Sequence, residues 1–111
     1  MREYLLGPRQ SGRTHNFIMS LPAPLDENDI IYVVSHSFSH GMEIKKMAEK
    51  LRGKYVADSI RPLSLESFET QYRGIDAFSI FFEHTAYEQA NAKQYRSICM
   101  IEDLQEKMWM K

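Results

Sequence analysis

Apolar positions along the chain fall into short continuous runs and into repeats with helical spacing, and the two kinds of segment alternate. Residues 30–35 are apolar almost throughout, which is typical of a strand covered on both faces of a sheet. Residues 77–84 form a second strongly apolar run, which ends on charged and polar residues. Other segments place an apolar residue every third or fourth position, as amphipathic helices do. The alternation predicts an α/β fold, with a mostly parallel sheet between helices.

Glycines, prolines and capping residues set the predicted boundaries of these elements. The predicted strands are residues 3–6, 30–35, 55–60 and 77–84. The predicted helices run over residues 13–21, from Ser39 or His40 to a stop at Gly53, from a cap at Ser64 to Gly74, and from Tyr87 onward. Residues 97–101 could instead form a last strand, but the spacing of Ile98, Ile101 and Leu104 favours the helix.

The length and composition of the chain indicate a single small domain and argue against several classes of protein. A chain of 111 residues with 43% apolar residues predicts one domain, residues 1–111, with a modest core. The net charge of −1 lacks the basic excess of a protein that lives on nucleic acid. One cysteine cannot form an internal disulfide, and the first apolar run is too short for a signal or a membrane span, so we expect a cytoplasmic protein.

The segment "GPRQSGRT", residues 7–14, matches the phosphate-binding motif G-x-x-x-x-G-K-[ST] except that arginine replaces lysine. Glycines let backbone N–H groups surround a phosphate, the following helix adds its dipole, and a hydroxyl at Thr14 can coordinate Mg²⁺. Arg13 attracts phosphate, but its planar fork suits the bridging position of lysine poorly. The predicted nucleotide-binding residues are Gly7, Pro8, Arg9, Gln10, Ser11, Gly12, Arg13 and Thr14. A glycine-rich turn with coincidental spacing is the alternative.

This segment resembles the Walker A motif of large-terminase ATPases, the phage DNA-packaging motors, where an arginine–glutamine pair commonly precedes Gly-Lys-Thr. The segment "IFFEHTAY", residues 80–87, resembles their Walker B motif, in which apolar residues are followed by Asp-Glu, another residue, alanine and an aromatic residue. In element order the resemblance covers about the first ninety residues. It implies a shortened three-layer α/β/α fold of the P-loop NTPase type, without the nuclease domain of terminases.

The resemblance also implies roles for two residues at the predicted strand end. Glu83 falls on the magnesium-side aspartate and His84 on the catalytic glutamate. It therefore implies ATP or GTP with Mg²⁺, the metal lying near Thr14 and Glu83, and slow or absent hydrolysis because His84 cannot act as the anion that polarises water. A shift of one residue would make Glu83 the catalytic carboxylate and put Phe82 at the metal position. A third interpretation is that Glu83 and His84 are polar residues at the end of a strand and have no role in catalysis.

Two further groups of polar residues are weaker candidates. His36, His40 and Glu43 have metal-ligand chemistry, but the predicted helix start separates them, so we do not expect them to share a face. The loop at residues 35–40 follows a strand, where phosphates or nucleic acid could bind, although a solvated loop is the simpler interpretation. A basic cluster is interrupted by acidic residues and is best explained as a solvated helix face. Its members are Lys45, Lys46, Lys50, Arg52 and Lys54.

Three hypotheses for function follow. The first is a small nucleotide-binding protein of a phage or mobile element, with weak hydrolysis. The second is a non-enzymatic protein that binds a motor, a helicase or a defence protein, and the third is a binder of a non-nucleotide phosphate. The C-terminal helix carries Met100, Met108, Trp109 and Met110, which either seal the core or support self-association.

Overall fold

The computed structural model describes residues 12–109, and a parallel sheet lies at the centre of this part of the chain. Its strands are β1, Ile31–Ser35, β2, Ile60–Ser64, and β3, Ile80–Phe82, in the order β2-β1-β3. The helices are α1, Gly12–Ser20, α2, Phe38–Arg52, α3, Lys54–Ser59, α4, Leu65–Gln71, α5, His84–Gln89, and α6, Ala92–Trp109. The predicted α/β class is confirmed. The predicted strand at residues 3–6 lies outside the described residues, as do Gly7, Pro8, Arg9, Gln10 and Ser11.

The run of apolar residues at 30–35 forms the middle strand of the described sheet, as predicted. Val33 lies opposite Pro62 of β2 on one side and Phe81 of β3 on the other. Both Val33 and Val34 are fully buried, because they point to opposite faces and helices cover both. Since all three strands are parallel, their carboxyl ends meet at one edge of the sheet.

Each face of the sheet has its own apolar core. The first core joins β1 and β2 to the helices α1, α2 and α3. Its buried members are Phe17, Ile18, Leu21, Ile31, Val33, Ile44, Ala48, Ala57 and Ile60. The second core joins all three strands to α4, α5 and α6. Its buried members are Val34, Leu63, Leu65, Phe68, Ile80, Phe82, Ala86, Ile98 and Ile101. In the described part of the chain, the sheet is therefore the middle of three layers.

Helix α2 begins and ends at residues that favour those positions. The Ser37 hydroxyl accepts a hydrogen bond from the amide of His40 at 3.1 Å, so the helix starts at Phe38, slightly before the predicted start. It ends at Gly53, as predicted, where a φ of +96° suits glycine. Near its start α2 approaches β2 closely, because a Cβ on Gly41 would lie 2.6 Å from the Cβ of Pro62.

The predicted strand at residues 55–60 is wrong. Residues 54–59 form α3, with Val56 and Ala57 buried, and the strand begins only at Ile60. The strand then continues through Pro62, which has no N–H to donate. Proline is tolerated there because β2 lies at the edge of the described sheet, where one side needs no partner.

The predicted strand at residues 77–84 is too long. Asp76 accepts a hydrogen bond from the amide of Phe78 and caps a short 3-10 turn, so β3 covers only Ile80–Phe82. Glu83 then caps α5, and His84 is the first residue of that helix.

The predicted helix from Tyr87 onward is divided into α5 and α6. Asn91 and Gln94 exchange hydrogen bonds between their side chains and amides, which is the pattern of a capping box, and α6 begins at Ala92. Residues 97–101 are helical, as favoured. The predicted cap of α4 at Ser64 is confirmed, and a 3-10 turn carries the helical path on to Gly74.

Candidate functional site

The candidate site lies at the carboxyl edge of the sheet, where β3 ends beside the start of α1. Glu83 follows β3 directly, and its amide donates to the carbonyl of Val34 at 2.9 Å, which continues the ladder with β1. Its side chain is fully buried. The structure therefore places the strand-end carboxylate inside the protein, at the edge where open α/β sheets bind ligands.

Four side chains from three parts of the chain surround the Glu83 carboxylate. Its Oε2 accepts from the Thr14 hydroxyl at 3.1 Å and lies 3.2 Å from Nε2 of His40. Its Oε1 accepts from the Thr85 amide at 2.9 Å and from the Thr85 hydroxyl. His84 is the fourth side chain next to the carboxylate. A buried carboxylate with several donors is stabilised as an anion.

The pKa of Glu83 reflects this balance. Burial alone would raise the pKa, but hydrogen bonds from the Thr85 side chain, the Thr85 amide and His40, together with electrostatic attraction to His84, outweigh it. The pKa of Glu83 therefore lies below its ordinary value of 4.5. At neutral pH the group is a buried carboxylate anion.

His84 lies against the same carboxylate. Its Nδ1 is 2.9 Å from Oε2 of Glu83, the distance of an ion pair, but the two groups lack the alignment of a hydrogen bond. The buried Nδ1 has no hydrogen-bond partner in the described part of the chain. Imidazole at this position adds positive charge beside Glu83 when protonated, where a second carboxylate would add repulsion.

Arg13, the residue that replaces the motif lysine, is paired with an acidic side chain. Its guanidinium Nη1 donates to Oε1 of Glu88 at 2.8 Å, which links the start of α1 to α5. The Arg13 side chain is 10% exposed and that of Glu88 is 42% exposed. The largely buried guanidinium of Arg13 is thus held against α5 by a contact that the sequence did not reveal.

The loop between β1 and α2 is tied to the same site. The Thr85 hydroxyl accepts from the amide of His36 at 3.1 Å, and the rings of His36 and His40 lie 4.9 Å apart. His40 Nδ1 is 3.7 Å from a carboxylate oxygen of Glu43. Among the described residues, no group of three or more His, Cys, Asp or Glu side chains is arranged to hold a metal ion.

Several other residues singled out from the sequence make contacts that stabilise the fold. Of the basic cluster, Lys45 donates to the carbonyl of Ile60 and Arg52 donates to the carbonyls of Ile18 and Leu21 at the end of α1. These two cations are therefore bound to backbone rather than presented as a patch for nucleic acid. Ala86 is fully buried in the second core, and the Tyr87 hydroxyl donates to Glu102.

The structure brings together four of the residues singled out from the sequence, Thr14, Glu83, His84 and Arg13, at the junction of α1, β3 and α5. Sequence reasoning missed the roles of His40, Thr85 and Glu88. Thr85 had a readable signal, because it stands two residues after an acidic residue that can cap a helix. His40 was considered only as a metal ligand, and Glu88 had no signal, because its partner lies 75 positions away.

Comparison with protein-family models, with curated proteins and with solved structures finds no match to the chain. Within residues 12–109, no helix is both long and apolar enough to cross a membrane.

Proposed function

We propose that the chain is a small nucleotide-binding protein of the P-loop type that hydrolyses its nucleotide weakly or not at all. The contact between Thr14 and Glu83 carries the proposal. These residues belong to the two motifs that resemble Walker A and Walker B, and their side chains meet at 3.1 Å although they lie 69 positions apart. The contact puts the two segments at one edge of the sheet, as expected if they form a single P-loop site.

Thr14 and Glu83 also have the chemistry that Mg²⁺ requires. Both offer oxygen atoms, the ligands that this ion prefers. Glu83 is fully buried and already accepts several hydrogen bonds, so Thr14 would hold the ion, and Glu83 would orient the Thr14 hydroxyl and the water around it. The ion would neutralise part of the phosphate charge.

Weak hydrolysis follows from the residues at the end of β3. A carboxylate that polarises the attacking water must reach that water. Glu83 is enclosed, and the position after it holds His84, which cannot supply an anion. Glu88, one turn further along α5, is paired with Arg13.

Thermal melting tests the proposal, with Mg-ATP, Mg-GTP, Mg-ADP and no ligand as parallel samples. A nucleotide at a hundredfold excess over its dissociation constant should stabilise the fold by about 2.7 kcal/mol and raise the Tm. Adenosine, which carries no phosphate, is the matched control and should leave the Tm unchanged. A Tm that no nucleotide raises would contradict the proposal.

A second candidate is a non-enzymatic interaction protein, and the internal pairing of the site favours it. Arg13 and Glu83 both contact partners within the chain, so this edge of the sheet is stabilised by its own side chains. Phe38 is 59% exposed at the start of α2, beside the same edge. One form of this candidate has a second copy of the chain as the partner. Sedimentation equilibrium with and without Mg-ATP should then show a dimer, and a monomer under all conditions would contradict that form.

A further inference from the structure

We infer that Glu88 competes with the nucleotide phosphates for Arg13 and thereby weakens the binding of phosphate ligands. This inference rests on the proposed function. It concerns a residue outside both motifs, and the contact that motivates it is the 2.8 Å ion pair between Arg13 Nη1 and Glu88 Oε1.

The ion pair includes the arginine of the segment that resembles Walker A. Arg13 is the second residue of α1 and directly precedes Thr14, whose hydroxyl contacts Glu83. Glu88 lies on α5, which begins immediately after Glu83. The carboxylate of Glu88 therefore meets the guanidinium of the residue next to Thr14, which would hold the magnesium ion.

A carboxylate and a phosphate use the same donors of arginine. Both bind the planar guanidinium fork through pairs of oxygen atoms, so a phosphate that approaches Arg13 must displace Glu88 or share the fork with it. The Arg13 side chain is largely buried, whereas that of Glu88 is 42% exposed and regains water when it is released. Exchange of partner at Arg13 is thus the expected response to a ligand.

The exchange should lower the affinity for phosphate ligands. Because Glu88 belongs to the same chain, any ligand that takes its place at Arg13 must first break the same ion pair. A carboxylate that stays nearby also repels the phosphates. Removal of the Glu88 charge should therefore tighten the binding of Mg-ATP.

The test compares wild type with Glu88→Gln, which keeps the size of the side chain and removes its charge. Calorimetric titration with Mg-ATP should give a Kd that is about three- to tenfold lower for Glu88→Gln. Glu69→Gln is the matched control, because it removes the carboxylate of a different ion pair, Lys93 with Glu69 at 3.4 Å. The Kd of Glu69→Gln for Mg-ATP should equal that of wild type. Glu88→Ala is a second variant that should change the Kd in the same direction.

A double-mutant comparison links the effect to Arg13. In an Arg13→Gln background, the further change Glu88→Gln should leave the Kd for Mg-ATP unchanged, because the contested guanidinium is gone. If wild type binds Mg-ATP and Glu88→Gln binds equally or more weakly, the competition is refuted while the proposed function stands. If neither wild type nor Glu88→Gln binds Mg-ATP, the proposed function fails, and the competition fails with it.

Discussion

The Thr14 hydroxyl donates a hydrogen bond of 3.1 Å to Oε2 of Glu83, and both residues are buried. The contact joins the first turn of α1 to the end of β3, which are far apart in the sequence. It brings a hydroxyl and an anionic carboxylate to one point at the carboxyl edge of the sheet, and the nucleotide-binding proposal depends on this meeting.

Thr14→Val should destabilise the protein by about 1–2 kcal/mol, because the buried Glu83 carboxylate loses a donor while the side chain keeps its shape. Thr14→Ser retains the hydroxyl and should lose clearly less unfolding free energy than Thr14→Val. Urea unfolding followed by circular dichroism measures both variants. Equal stability of the two variants would show that the hydroxyl contributes nothing to the network.

Acid should weaken the contribution of Glu83 to stability. Its pKa in the folded protein is depressed below 4.5, so the folded state favours the ionised form. The stabilisation is present above the unfolded value and is lost as the pH falls through the depressed pKa. Wild type should exceed Glu83→Gln in urea stability at pH 7, and the difference should shrink from about pH 4.5 downward.

Parallel urea titrations of wild type and Glu83→Gln between pH 7 and pH 3, with EDTA present, measure that difference. Glu106→Gln, at an exposed position on α6, is the control and should follow wild type. A difference between wild type and Glu83→Gln that grows on acidification would contradict the sign of the pKa shift.

Gly41→Ala should destabilise the fold by about 1–3 kcal/mol, despite the better helix propensity of alanine. The new Cβ would lie 2.6 Å from the Cβ of Pro62, so α2 and β2 must move apart. Gly74→Ala is the matched control, since no atom lies within 4 Å of its added Cβ. Thermal melting separates the two variants, and a Gly41→Ala protein as stable as wild type would refute the close approach.

The central strand and the main helices could be predicted from sequence because their signals are local. β1 is a continuous apolar run, and α2 has a serine before it and a glycine after it. The predicted strand at residues 55–60 was wrong because a short segment with buried Val56 and Ala57 fits either a strand or one turn of helix. Only packing against the neighbouring elements decides between them.

Only part of the site could be predicted, because some of its contacts join residues that are far apart in the sequence. Glu83 and His84 were identifiable as polar residues after an apolar run, and Thr14 as the end of a motif. The contacts that surround Glu83 come from His40 and Thr85 as well, and no spacing along the chain relates His40 to Glu83 before the sheet is assembled. Pairing of Arg13 with Glu88 likewise depends on how α5 lies against α1.

Changing the two positions that differ from the Walker motifs should increase hydrolysis if the proposed alignment holds. Arg13→Lys supplies a compact charge in the loop, and His84→Glu supplies an anion after Glu83. The double variant should release phosphate from saturating Mg-ATP at least about tenfold faster than wild type. It should also be less stable, because two carboxylates then lie side by side where His84 Nδ1 now lies 2.9 Å from Glu83.

Arg13→Lys combined with His84→Gln is the control for that experiment, because glutamine has the size of glutamate without its charge. Its rate should remain at the wild-type level. An unchanged rate in the double variant with His84→Glu would count against the alignment that puts His84 at the catalytic position.

The most direct test of nucleotide binding is an NMR titration of the ¹⁵N-labelled protein with Mg-ATP, read at the backbone amides. If the loop amides surround the phosphates, the largest shifts should fall at residue 7 and residues 9–14, since Pro8 has no N–H, with smaller changes at Glu83 and Thr85. Adenosine should not reproduce these shifts. Amides of residues 7 and 9–14 that stay unchanged at millimolar Mg-ATP would contradict the account.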